Sequence, residues 1–190
     1  MTAAHCAIFD DYGIRAGVFN YSSKDEPGEQ IFKVVDIHIN PKYEFGFNFH
    51  DLAVMKLDRR IKFDDHVQPV CVPKSVDEST RANLPGSLDG DLLKVEVPFL
   101  DMSQCEAEYP KMIDPVTMEC AGRKGVDSCQ GDSGGPLVTK HEDSGRWYQA
   151  GIVSWGFGCA REFKAGVYSK PSAMCDFIEQ TLGKPVCKGS

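Results

Sequence analysis

Gly131-Asp132-Ser133-Gly134-Gly135-Pro136 is the most informative stretch of this 190-residue chain. A serine set among glycines is a backbone device, because glycine permits unusual dihedrals and leaves peptide NH groups unobstructed beside the hydroxyl. The NH groups of Gly131 and Ser133 can then form an oxyanion hole, in which one such donor is worth about 100- to 1000-fold in rate. A glycine-rich turn whose serine only caps or solvates shares the bare pattern. The full six-residue string favours the chemical device.

A serine hydroxyl is a weak nucleophile at neutral pH and needs a base within hydrogen-bond reach, usually a histidine steered by a carboxylate. His5, in Thr2-Ala3-Ala4-His5-Cys6, and Asp51, which opens Asp51-Leu52-Ala53-Val54-Met55-Lys56-Leu57, supply both types. The segment from Asp51 alternates poorly, as a strand buried on both faces does, and an acid at the start of a buried strand is costly without a partner. An imidazole NH suits it. Taken singly, His5 also reads as an ordinary polar residue and Asp51 as a turn acid.

Composition narrows the classes further. The length allows one domain or two closely packed halves, and 42% hydrophobic with 26% charged residues is ordinary globular composition. A net charge of -7 offers no basic footprint for phosphate backbones, so nucleic acid is not an expected partner. No apolar run approaches the roughly 20 residues that cross a bilayer as a helix, so no membrane association is expected. The opening MTAAHCAIFDDYG lacks the charged head and apolar stretch of a signal peptide. Eight cysteines with no CxxC pair, and five histidines with no HExxH, point to disulfides rather than a metal set, and no metal or cofactor is expected. Disulfides imply secretion, and the sequon Asn20-Tyr21-Ser22 agrees weakly as a glycosylation site. The acidic loop from Asp25 to Glu29 carries no expected calcium site, since Val18 and Phe19 stand where ligands would be wanted.

Short segments rich in Val, Ile and aromatics predict strands at 13–19, 31–40, 51–57, 94–100, 135–139, 147–155 and 165–169, an all-β barrel or sandwich. A helix is predicted only near the end, where Ala173, Met174, Phe177, Ile178 and Leu182 share a face after Pro171. The stretch from Pro73 to Asp91, with Pro, Ser, Gly, Asp and Asn and little periodicity, reads as a connection.

TAAHC at 2–6, DLAVMKL at 51–57 and DSCQGDSGGP at 127–136, in that order, resemble the signature of the chymotrypsin/trypsin family of serine proteases. IVSWGFGC at 152–159 and AGVYSK at 165–170 resemble that family's late strands, so the likeness covers nearly the whole chain. The resemblance implies a double antiparallel β-barrel with a C-terminal helix: a partial N-terminal barrel at 1–72, a connection at 73–91, a C-terminal barrel at 92–170 and the helix at 171–183. It assigns His5, Asp51 and Ser133 to a catalytic triad and Gly131 with Ser133 to the oxyanion hole. Asp127 falls at the base of the specificity pocket, where a carboxylate selects Arg or Lys side chains. Gly156 and Gly166 fall on the pocket wall, and Ser154, Trp155 and Gly156 where substrate backbone pairs as an added strand. Among the cysteines it pairs Cys105 with Cys120 and Cys129 with Cys159, likens Cys71 to the tether of an upstream chain or propeptide, and gives Cys6 a partner upstream. Cys175 and Cys187 have no counterpart at their spacing and are expected to pair locally around the terminal helix.

The chain departs from the family pattern in two places. TAAHC stands at residues 2–6, where the family has several strands and an activation site ahead of it, so an incomplete first barrel is expected. Asp132 is then expected to lack the new N-terminal amine that orders the hole in active members, a zymogen-like arrangement. Between Cys71 and Leu92 there is no Gly-Trp-Gly, and Thr139 stands where the family has a disulfide cysteine. The resemblance thus implies a secreted endopeptidase that cleaves proteins after Arg or Lys and is bound by protein protease inhibitors. A non-catalytic homologue that binds other proteins is the alternative.

Overall fold

A computed structural model of the chain describes residues 1–9, 11–88, 90–125, 132–141, 144–158 and 164–189. The first third forms a three-stranded antiparallel sheet, β1 (Gly13–Ala16), β2 (Gln30–Ile39) and β3 (Ala53–Leu57), in that order across the sheet. A bulge between Val34 and Asp36 of β2 shifts its register on β3, which re-aims the side chains that follow. Phe32 is buried, whereas Ile31, Val35 and Ile39 of the same strand stay exposed.

After β4 (Val72–Pro73) comes a six-stranded sheet. It consists of β5 (Arg81–Leu88), β6 (Asp91–Pro98), β7 (Met118–Ala121), β8 (Pro136–Lys140), β9 (Trp147–Trp155) and β10 (Gly166–Ser169), in the order β6-β5-β8-β9-β10-β7. Its two edges meet. Phe99 bridges Ala121, Leu100 N donates to Cys120 O at 2.9 Å and Gly122 N to Pro98 O at 3.0 Å. Joining the edges closes the sheet into a barrel and removes its unpaired strands. Ala82, Leu84, Val97, Ala121, Leu137, Val153 and Tyr168 form its core. With the antiparallel sheets and terminal helix, this is the architecture of a trypsin-like double β-barrel.

The C-terminal helix joins the two halves. A 3-10 turn at Pro171–Met174 runs into α2 (Cys175–Leu182), which stops at Gly183 with φ +65°, the left-handed cap that glycine adopts without strain. The face it buries is narrower than its pattern predicts: Met174 and Ile178 are buried, but Ala173 and Leu182 are exposed. Those two buried residues share a cluster with Ala3, Leu52, Val54 of β3, Val72 of β4 and Ile152 of β9. A disulfide joins Cys175 to Cys187 of β11 (Cys187–Lys188), which lies parallel to β4. Glu179 Oε1 accepts the Val186 and Cys187 amides at 2.9 and 3.0 Å, so one carboxylate holds the returning chain.

Three elements differ from the sequence reading. The stretch read as a connection contains β5, which pairs with β6 from Arg81↔Pro98 to Leu88↔Asp91. Pro85 lacks a backbone donor, but β5 meets β8 only at Asn83, so beyond that point its far side needs none. A short helix, α1 (Met102–Glu108), stands where no helix is predicted; Asp101 caps it by accepting Ser103 N at 2.8 Å. Cys105 of that helix is bonded to Cys120 of β7. Strand β7 carries Met118, Glu119, Cys120 and Ala121, all buried; this continuous burial hides the period-2 alternation by which strands are recognised.

Candidate active site

Thr2 and Ala53 exchange backbone hydrogen bonds of 3.0 and 2.8 Å, laying the N-terminal segment along β3. The chain then tightens into a 3-10 turn at Ala4–Cys6, which carries His5 over the residues just before β3. Asp51 is completely buried there. It accepts three hydrogen bonds: His5 Nδ1 at 2.7 Å and Ser154 Oγ at 2.6 Å on Oδ2, and His5 N at 2.9 Å on Oδ1. A buried carboxylate is tolerated when its lone pairs are filled in this way. His50, just before it, has φ +55° and gives its carbonyl to Leu52 N at 2.8 Å. That tight local turn sets the direction in which Asp51 projects.

The loop bearing Ser133 lies against the same N-terminal segment. Gly134 has φ +78°, and Thr2 Oγ1 donates to its carbonyl at 3.3 Å. Gly134 N also donates to Val153 O at 2.9 Å, and Val153 N to Gly135 O at 2.9 Å, so the loop is bonded to β9. A side chain on Gly134 would overlap Thr2 Oγ1, so close approach as well as dihedral requires glycine here. Ser133 is exposed. Among the described residues no hydrogen bond joins Ser133 to His5; instead Cys6 Sγ lies 3.3 Å from His5 Nε2.

The trypsin family model matches residues 1–178. The chain belongs to the trypsin family of serine proteases. It is 34% identical over 207 residues to the Suppressor of tumorigenicity 14 protein homolog of Bos taurus, covering 96% of this chain and 24% of that protein. Identity to the Serine proteinase stubble of Drosophila melanogaster is also 34%, over 197 residues, with coverage of 93% and 25%. This trypsin-family chain therefore spans about a quarter of the length of these curated relatives.

The His5 imidazole of this trypsin-family member is pushed up to about 10, first by the hydrogen bond to Asp51 and next by the Cys6 contact, against partial burial that lowers it. An imidazole held in its charged form is not a base until that proton leaves. Further along, Gly156 and Gly166 lie together: a Cβ on Gly156 would sit 3.8 Å from Gly166 Cα. Trp155 is set edge-on to Tyr109 at 5.0 Å between centroids and tilted against Phe157 at 5.9 Å, forming an aromatic rim. Sequence reading assigned Ser154 to substrate backbone and missed its hydroxyl bond to Asp51; nothing in the local sequence signals a contact across 103 positions. The Cys6 contact with His5 was missed as well.

Asp127, Gly131 and the pair Cys129 and Cys159 lie outside the described residues. Among the described residues Cys6 and Cys71, each half-buried, form no disulfide. Asn20 Nδ2, the atom a glycan would occupy, donates to Asp91 Oδ1 at 2.6 Å. Among the described residues no cluster of His, Cys, Asp or Glu is arranged to hold a metal ion, and no helix is long and apolar enough to cross a membrane.

Proposed function

We propose that the chain is the catalytic domain of a secreted serine endopeptidase that cleaves after Arg or Lys. The observation that carries this reading is the 2.7 Å bond from His5 Nδ1 to a fully buried Asp51, which fixes the imidazole through Nδ1 and leaves Nε2 on the opposite edge of the ring. Asp51 orients His5 and stabilises the imidazolium that forms; His5 Nε2 takes the proton of Ser133 Oγ as that oxygen attacks the carbonyl. The oxyanion is received by the amides of Gly131 and Ser133, the leaving amine takes the proton from His5, and water later releases the acyl group.

Asp127 selects the guanidinium or ammonium of the residue before the scissile bond, Arg over Lys because of its bidentate fork. Gly156 and Gly166 leave room for that long side chain, and the backbone of Ser154, Trp155 and Gly156 pairs with the substrate as an added strand. The disulfides Cys105–Cys120 and Cys175–Cys187 support an oxidising compartment. Cys71, which forms no disulfide among the described residues, tethers an upstream chain or propeptide, and protein protease inhibitors enter by the substrate's route.

The test is labelling by a fluorophosphonate probe together with hydrolysis of an Arg-amide substrate. Both activities are expected, and both should vanish in Ser133→Ala. A well-folded chain that takes no probe would instead support a protein-binding homologue, the reading favoured by the lack of a described Ser133–His5 bond. Asp127→Ser should abolish cleavage after Arg; retained Arg preference would remove Asp127 from its role.

A further inference from the structure

We propose that the bond Arg60–Ile61 is a processing site in this chain, cut by a second copy of the same chain. The inference rests on the reading of the domain as an endopeptidase that cleaves after Arg or Lys, and it names a substrate for that site.

Strand β3 ends at Leu57 and β4 begins at Val72, and the residues between them form no strand or helix. Among the described residues the backbone of Arg59, Arg60 and Ile61 makes no hydrogen bond. A protease that pairs its substrate as an added strand needs such an unpaired stretch. The two arginines differ in what holds them. The Arg59 guanidinium lies 4.7 Å from the centre of the Phe32 ring of β2, its Nη1 reaches Asp58 Oδ2 at 2.8 Å and its Nη2 donates to Ile31 O. Arg60 is exposed, and its side chain has no hydrogen bond or ion pair among the described residues. Arg59 therefore anchors the segment on β2 and leaves the next guanidinium to enter an acidic pocket.

Other basic residues lack one of these features. Lys62 is exposed, but its amide donates to Gln30 Oε1 at 3.0 Å and its carbonyl accepts from Gln30 Nε2 at 2.8 Å, so one carboxamide ties down both sides of its backbone. Arg15 lies within β1, with its guanidinium on Glu29, Tyr21 O and Ser23 O. Lys111 has φ +64°, far from the extended form of a strand. Lys184 is followed by Pro185, whose ring crowds the bond and brings no N–H.

The reaction consumes one water. Ser133 Oγ of one copy attacks the Arg60 carbonyl carbon of the other while His5 takes its proton; the C–N bond to Ile61 breaks, and the Ile61 nitrogen leaves with that proton. Water then adds to the acyl carbon and gives a proton to His5, which returns it to Ser133 Oγ, leaving a carboxyl group on Arg60 and an amine on Ile61. The cut places His5 and Asp51 on one fragment and Ser133 on the other. The fragments stay joined by the Ser154–Asp51 hydrogen bond and by the packing of Leu52 and Val54 with Ile152 and Ile178.

The test mixes the chain with a nitrogen-15-labelled Ser133→Ala copy, which serves only as substrate, and follows labelled fragments by mass spectrometry under denaturing conditions. Fragments 1–60 and 61–190 should appear first, at a rate proportional to the unlabelled chain added. Arg60→Gln in the labelled copy should slow that cut by about 100-fold or more, because a site built for a hydrogen-bonding partner rejects its absence, and Arg60→Lys should restore it. First cleavage at another bond, or an unchanged rate in Arg60→Gln, overturns the proposal. Pancreatic trypsin applied to the folded Ser133→Ala copy should likewise open Arg60–Ile61 first, and its failure to do so overturns the site whatever the activity of this chain. Hydrolysis of the Arg-amide substrate separates the two readings. A chain that hydrolyses it yet leaves the labelled copy whole overturns self-cleavage alone. A chain inactive on it, with Arg60–Ile61 opened first by pancreatic trypsin, removes the proposed function and the second copy as the protease while the site stands.

Discussion

Ser154 Oγ donates to Asp51 Oδ2 at 2.6 Å, so the carboxylate that orients His5 from just before β3 is itself held by β9 of the barrel. Both residues are buried. Ser154→Ala should therefore destabilise the fold by about 1–3 kcal/mol, the range for leaving a buried charged acceptor short of one donor. Urea denaturation measures that loss, and an unchanged midpoint would show that the bond contributes nothing.

The raised His5 value has a signed consequence. A histidine favoured in its charged form by folding stabilises fully below its ordinary value of 6.5, and that contribution is lost as pH rises through about 10. Fluorophosphonate labelling, which needs neutral His5, should accordingly climb with pH well beyond the range of an ordinary histidine. Asp51→Asn should move the profile to lower pH, because the largest cause of the shift is removed, while lowering the maximum rate. A profile centred near 6.5 in the unmodified chain would contradict the charged imidazole.

Glu119 of β7 is a second titrating group with no place in the proposed chemistry. It is 2% exposed, and neither carboxyl oxygen has a partner among the described residues. Gly151 leaves it space, since a Cβ there would lie 2.8 Å from Glu119 Oε1 and 3.0 Å from Tyr168 Cβ. Burial pushes this carboxyl up to about 8, with Lys170 opposing and Glu78 adding to the shift. In the unfolded chain it ionises near 4.5, so between those values the folded state holds one more proton and stability falls as pH rises. Denaturation of Glu119→Gln at pH 5, 7 and 8.5 should show that decline removed, a difference of up to a few kcal/mol at about 1.36 kcal/mol per pH unit. Parallel curves for the two proteins would place the ionisation elsewhere.

Gly134→Ala combines two penalties, a left-handed dihedral of φ +78° and overlap with Thr2 Oγ1. A loss of about 1–3 kcal/mol is expected from the strained backbone alone. Thr2→Ala in the same chain should recover only the part due to overlap, which thermal unfolding of the single and double variants separates. Full recovery would mean that the dihedral carries no strain.

Much of this molecule was legible residue by residue. The motifs around His5, Asp51 and Ser133 named the family, and β-branched runs located β2, β3, β9 and β10 within a residue or two. Strand β5 was not legible, because Asn83, Pro85, Gly86 and Ser87 are turn formers in isolation and form a strand through pairing with β6. The dipeptide Asp89-Gly90 between Leu88 and Asp91 is a hairpin signal that could have revealed it. Helix α1 was hidden by its length of seven residues, about two turns, too short for a clear hydrophobic period.

At the site, residue types and their order along the chain carry the proposed chemistry, because the capacity to act as nucleophile, base or acid is a property of side chains and their near neighbours. The contacts that set the state of that chemistry come from packing. Ser154 reaches Asp51 across 103 positions, the Ser133 loop rests on Thr2 across 132, and the choice of Cys6 rather than Ser133 as the partner of His5 Nε2 depends on where that loop settles. Burial has the same origin: an Asp51 and a Glu119 are alike as carboxylates in the chain, and the fold gives one three donors and the other none among the described residues. The strength of a charge depends on the surroundings that folding builds around it.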